Sequence, residues 1–196
     1  KLGRKQPRTA REASYLARAM AEIGDRRFPT VVPEVKRAAE REFLNALWLL
    51  RLRKPEAAEA AERALLTART DPWIDRGLID QTLRAIGARS RDFPVDRQRR
   101  LATVLAEPFA VERERVHRIA TGLEVASHVD PRFCVDYIDR MGPMPLEEAF
   151  LKTTARCFRA ADDPRAASAV ADLDAYLALS PVFGAGLADP APTALA

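Results

Sequence analysis

Cysteine, histidine, glycine and long apolar runs are all scarce in this chain, and each scarcity closes off a class of function. Only two cysteines, Cys134 and Cys157, occur in 196 residues. They are too few for a disulfide framework and form no CxxC pair. Both fall on apolar stripes and read as small core residues. They favour a cytoplasmic or other reducing compartment without demanding one. Eight scattered glycines build no loop that would cradle a phosphate, and no GxGxxG, P-loop, GxSxG or HExxH pattern occurs. No apolar run reaches 18 residues, so no segment reads as a membrane span. The longest candidate, residues 43–52, is interrupted by Asn45 and Arg51 and reads as a core helix.

The two histidines, His117 and His128, are 11 residues apart, about three helical turns. They share a face if one helix reaches both. Metal ligands on one helix usually sit three or four residues apart, so surface or capping roles are expected for both, and Cys134 nearby does not change that. The adjacent carboxylates Glu147-Glu148 and Asp162-Asp163 stand at expected helix N-termini, where negative charge suits the macrodipole without any catalytic duty. An enzyme is therefore not expected. No cofactor or metal is expected either, and no small-molecule substrate is evident.

Charge is present and unevenly spread. Residues 1–100 hold 23 Lys and Arg against 14 Asp and Glu, whereas residues 101–196 hold 9 against 14. Lys1, Arg4, Lys5, Arg8 and Arg11 all precede the first acid, Glu12. Such a start suits a solvated tail, contact with a polyanion, or the flank of an upstream membrane anchor. Because the chain opens on Lys1 and not Met, it reads as a processed product or a piece of something longer. The densest basic group is Arg89, Arg91, Arg97, Arg99 and Arg100, with Arg113, Arg115 and Arg118 following. Asp92, Asp96, Glu112 and Glu114 are interleaved with them, and Phe93 is the one aromatic among them. Nucleic-acid surfaces concentrate positive charge and offer stacking platforms. A salt-bridged face is thus expected there, with anion or RNA contact at Arg89, Arg91, Arg97, Arg99 and Arg100 as the alternative.

What remains is helical periodicity punctuated by proline. Thr9 with Glu12 forms a capping-box pattern before the stripe Ala13, Leu16, Ala17, Met20 and Ile23, and Gly24 is a stop. Residues 26–32 read as an extended linker. Eight further helices are expected, opened by Pro33, Pro55, Pro72, Pro94, Pro108, Pro131, Pro145 and Pro164, since proline costs little just inside a helix start. Asp71, Asp130 and Asp163 precede three of these prolines as caps. In the helix after Asp71, the residues Trp73, Ile74, Leu78, Ile79, Leu83 and Ile86 read as inward. The helix holding residues 43–50 is apolar nearly all round and belongs at the centre of the packing.

Pro33, Pro72, Pro108 and Pro145 are 39, 36 and 37 residues apart, and their partners follow 22, 22, 23 and 19 residues later. Four hairpins at so even a period point to a helical solenoid. The expected organisation is a basic N-terminal segment with a first helix and linker (1–32), four hairpins (33–179) and a Pro/Ala-rich tail (180–196). The expected fold is all-α, a right-handed α-α superhelix of about nine helices.

The last hairpin, residues 145–181, resembles the tetratricopeptide repeat. Cys157 stands at that family's small position in the first helix, Ala169, Leu173 and Tyr176 follow in the second, and Pro181 closes the unit. Thr153, Arg156 and Ala160 replace the family's Trp, Leu and Tyr, and Ala46 and Ala58 keep its separation in the first hairpin. The resemblance implies a right-handed stack of helix pairs whose first helices line a concave groove for a peptide or protein. The functional expectation is a non-catalytic scaffold or adaptor that binds another protein. The alternatives are an RNA-binding repeat within a ribonucleoprotein, and a regulatory module of a larger enzyme or membrane protein.

Overall fold

The computed structural model describes residues 9–111, 114–143 and 146–179. Within them the chain forms ten α-helices and two short 3-10 turns, and no strand. The helices are α1 (Ala10–Ile23), α2 (Phe28–Val31), α3 (Ala38–Arg51), α4 (Ala57–Ala68), α5 (Arg76–Arg89), α6 (Val95–Ala106), α7 (Arg115–Ala126), α8 (Pro131–Met141), α9 (Glu148–Ala160) and α10 (Ala166–Leu179). The basic residues 1–8, the Pro/Ala tail and Pro145 lie outside the described residues.

α1 starts and stops as its sequence dictates. Thr9 Oγ1 accepts from the Glu12 N–H at 3.1 Å, and the Thr9 N–H donates to the Glu12 carboxylate at 3.2 Å. Gly24 ends the helix at φ 66°, a left-handed conformation that glycine takes without strain. The expected extended linker is instead helical: α2 is followed by a 3-10 turn, Val32–Glu34. Pro29 sits in the first turn of α2, where its missing N–H breaks no bond. Burial supplies the drive, because Phe28 stacks on Trp48 at 5.2 Å and the Trp48 indole N–H donates to the Asp25 carbonyl at 2.9 Å.

Most of the prolines do not open helices. Pro131 does, directly after Asp130, whose carboxylate accepts from the Phe133 N–H at 2.8 Å. Pro94 stands one residue ahead, as the cap of α6. Pro33 lies in the 3-10 turn, and Pro55, Pro72, Pro108 and Pro164 precede their helices by two or more residues. Asp71 and Asp163 fail as caps for one reason. Each bonds the N–H two residues on, Trp73 at 2.8 Å and Arg165 at 2.9 Å, which makes an Asx turn around the proline. The cap of α5 is Asp75, which accepts from the Leu78 N–H at 3.0 Å.

Packing follows chain order. The odd helices meet in succession, α1 on α3, α3 on α5, α5 on α7 and α7 on α9, while α4 meets α6 and α6 meets α8. Between these rows α3 packs on α4, α6 on α7, α8 on α9 and α9 on α10. Phe43, Leu44, Ala46 and Leu47 of α3 are wholly buried, as expected for a central helix. Ala57, Ala58, Ala60, Ala61 and Ala64 of α4 are buried as well, and their small side chains let the two helices approach closely. Each buried leucine stabilises the fold by roughly 1.5–3 kcal/mol. α7 approaches α8 through Gly122, where an added Cβ would lie 1.9 Å from the Tyr137 hydroxyl. That hydroxyl is buried with no hydrogen-bond partner among the described residues, and burial pushes its pKa up.

Cys134 and Cys157 occupy the core as expected, but they are not free thiols. A disulfide joins them, with Cα atoms 5.9 Å apart, and ties α8 to α9. Such bonds persist in oxidising surroundings, so the preference for a reducing compartment loses its basis.

Candidate functional site

The loop between α4 and α5 presents the most exposed aromatic group among the described residues. α4 ends at Ala68, and Asp71 then turns the chain by accepting the Trp73 N–H. Arg37, just ahead of α3, grips this turn from outside. Its guanidinium lies 3.2 and 3.3 Å from the two Asp71 oxygens and also donates to the Trp73 carbonyl. Trp73 is thereby held on an anchored loop with 77% of its surface exposed. It was expected to face inward, but it precedes α5 and escapes the helical stripe that buries Leu78, Leu83 and Ile86.

The opposite wall comes from the loop after α6. Phe109 is buried beneath the Arg118 guanidinium, which lies 5.7 Å from the ring. The next residue, Ala110, donates its N–H to the Ala68 carbonyl at 2.9 Å, so the loop is bound to the end of α4. Between this loop and the turn at Asp71 lies a cleft of about 310 Å³. Its apolar lining is Ala68, Pro72, Trp73, Ile74, Ile79 and Val111; its charged lining is Asp71, Arg76 and Glu114. An apolar pocket of this size with a few fixed charges is the usual form of a recognition site.

Glu114 connects the cleft to a cluster of titratable groups. It precedes α7, and its side chain is only 4% exposed. Arg76 pairs with it from α5. His117 Nδ1 lies 3.0 Å from Glu114 Oε2 and 2.6 Å from Asp80 Oδ1, and Asp80 also pairs with Arg84 at 3.0 Å. The Glu114-x-x-His117 spacing is visible in the sequence, but its third member comes from α5, and nothing local points to Asp80. His128 does not share this face, because α7 ends at Ala126. It lies 3.0 Å from Glu124 and 3.4 Å from Arg91, and burial lowers its pKa.

The five arginines singled out in the sequence do not converge. Arg89 pairs with Asp92 at 2.7 Å, and Arg91 turns to His128. Arg97 reaches back to Glu59 and Glu62 of α4 at 3.5 and 3.6 Å. Arg99 points the other way, to Asp130 at 3.2 Å and the Phe133 ring at 5.3 Å. Arg100 is exposed. Acids thus hold three of the five, Arg89 through its neighbour Asp92 and Arg97 and Arg99 through carboxylates of other elements, and of these acids only Asp92 is interleaved with the arginines in sequence.

Comparison with family models, with curated proteins and with solved structures finds no match to this chain.

Proposed function

We propose that this chain is a non-catalytic helical-repeat scaffold that binds another protein, with the Trp73 cleft as its principal contact. The observation that carries the reading is the exposure of Trp73 beside a preformed apolar cleft. Tryptophan dominates binding energy where a large ring meets a pocket, and a ring held in place before binding loses little entropy. The tie between Arg37 and Asp71 provides that preorganisation.

The repeat reading is supported by the spacing of the helices. α3, α5, α7 and α9 begin 38, 39 and 33 residues apart, and α4, α6, α8 and α10 begin 19, 19, 16 and 18 residues after them. A succession of similar contacts between every second helix is what a right-handed stack of tetratricopeptide-like pairs would require. RNA binding is the lesser reading, because Arg89, Arg97 and Arg99 are held by carboxylates in different elements and the five arginines do not converge on one surface.

The test is a pull-down from native extract with the wild-type chain, Trp73→Ala and Val95→Ala, the last replacing an exposed side chain away from the cleft. A partner retained by wild type and Val95→Ala but lost with Trp73→Ala is expected. Equal recovery with all three chains would overturn the assignment of the contact.

A further inference from the structure

We propose that Asp80, Glu114 and His117 form a binding site for a divalent transition-metal ion of the zinc class. One donor atom from each, His117 Nδ1 and a carboxylate oxygen of Asp80 and Glu114, lies within 4.8 Å of the other two. The donors come from different elements, Asp80 from α5 and the other two from the start of α7, so tertiary packing brings them together and helix spacing alone does not. Nδ1 carries at most one hydrogen, yet two carboxylate oxygens approach it, at 2.6 and 3.0 Å. A single proton serves one of them well and the other poorly. A cation between the three atoms satisfies all of them.

Charge and exposure agree with this. Two carboxylates balance a dication, and a neutral imidazole supplies the third lone pair. Burying the Glu114 carboxylate demands a positive partner, and the arginine that now serves it, Arg76, keeps a side chain 67% exposed. Arg84, which serves Asp80, is 71% exposed. Both can turn into solvent at little cost when an ion arrives. One nitrogen and two oxygens suit zinc and its first-row neighbours, whereas calcium wants six or more oxygens and magnesium an octahedral oxygen shell. Three protein ligands leave a tetrahedral ion with one open position for water or an incoming oxygen ligand. Because Glu114 also lines the Trp73 cleft, the ion would sit at the edge of that recess. The site stands or falls independently of any protein partner, since the metal alone is the probe.

The experiment titrates Zn²⁺, then Mn²⁺, into the chelator-stripped full chain with its disulfide intact, followed by calorimetry and by metal analysis after desalting. One ion per chain is expected. His117→Ala and Asp80→Asn should each weaken binding by at least about tenfold, and His128→Ala should leave it unchanged. A rise in melting temperature with Zn²⁺ should appear in wild type and vanish in His117→Ala. His117 is half exposed, so its replacement leaves the core intact; should Asp80→Asn fail to fold, His117→Gln carries the second arm. No binding by wild type, or binding undiminished in the His117 variants, would overturn the site.

Discussion

The α3–α4 hairpin and the α9–α10 hairpin are held by different balances of force. In the first, two helices bury a dense set of leucines, alanines and Phe43 against each other and against α1, α5 and α6. In the second, α10 buries Ala169 alone and packs chiefly on α9. α9 still buries Phe150, Ala155 and Phe158, and specific ties add to them: the Cys134–Cys157 bond, and Arg165, which bridges Asp139 and Asp163 while lying 4.3 Å from the Phe158 ring. One helical pair is thus held mainly by apolar area, and the other by less of it together with a disulfide and surface ion pairs. The two differ in what breaks them.

Substitutions should separate the two hairpins, beginning with the core of the first. Phe43→Ala removes a wholly buried ring and should cost about 4 kcal/mol, seen as a lowered urea midpoint for the entire chain. Reduction of the disulfide, or Cys134→Ala with Cys157→Ala, should cost about 3 kcal/mol, because the bond constrains a segment with a sequence separation of 23 in the unfolded chain. That loss should be confined to signals from α9 and α10 and should leave those from α3 and α4 in place. Between these regions, Gly122→Ala forces a methyl group against Tyr137 and should cost about 2 kcal/mol. Tyr137→Phe, which deletes an unpartnered buried hydroxyl, should leave the urea midpoint unchanged or raise it.

The smallest effect is that of acid. Hydrogen bonds from Arg165 hold the Asp163 carboxyl down to about 2, against its ordinary value of 3.8. A carboxylate with a depressed folded pKa contributes stability above its unfolded value and loses it as the pH falls through the folded one. Protection of the α10 amides should thus weaken between pH 3.8 and about 2, measured by hydrogen exchange. The pair joins Asp163 to a half-exposed arginine at the protein surface, where ion pairs contribute little, so the change is slight. Asp25, lowered to about 2 by Arg27, should produce a parallel change at the end of α1.

The same comparison explains what could be read in the residues alone. The helices and their order were legible because their apolar stripes recur at helical spacing. The capping box at Thr9 and the Asp130-Pro131 start were legible because each acts within four residues. Asp71-Pro72 and Asp163-Pro164 look identical to Asp130-Pro131, but their behaviour depends on distant groups. Arg37 holds the first in a turn and Asp75 supplies the cap instead, while Arg165 bridging to Asp139 stabilises the second. The disulfide and the Asp80–Glu114–His117 cluster were hidden for the same reason: each pairs residues from separate helices, and two cysteines or one Glu-x-x-His in a sequence name no partner. Trp73 was misplaced by a matter of position. It carries the right chemistry for a stripe but stands outside the helix that makes one.

The most direct test of helices held by their neighbours, and not by one shared centre, is hydrogen exchange resolved by helix in the chain with its disulfide reduced. Amides of α9 and α10 should lose protection while those of α3, α4, α5 and α6 keep theirs. Simultaneous loss of protection in all of these helices would contradict it.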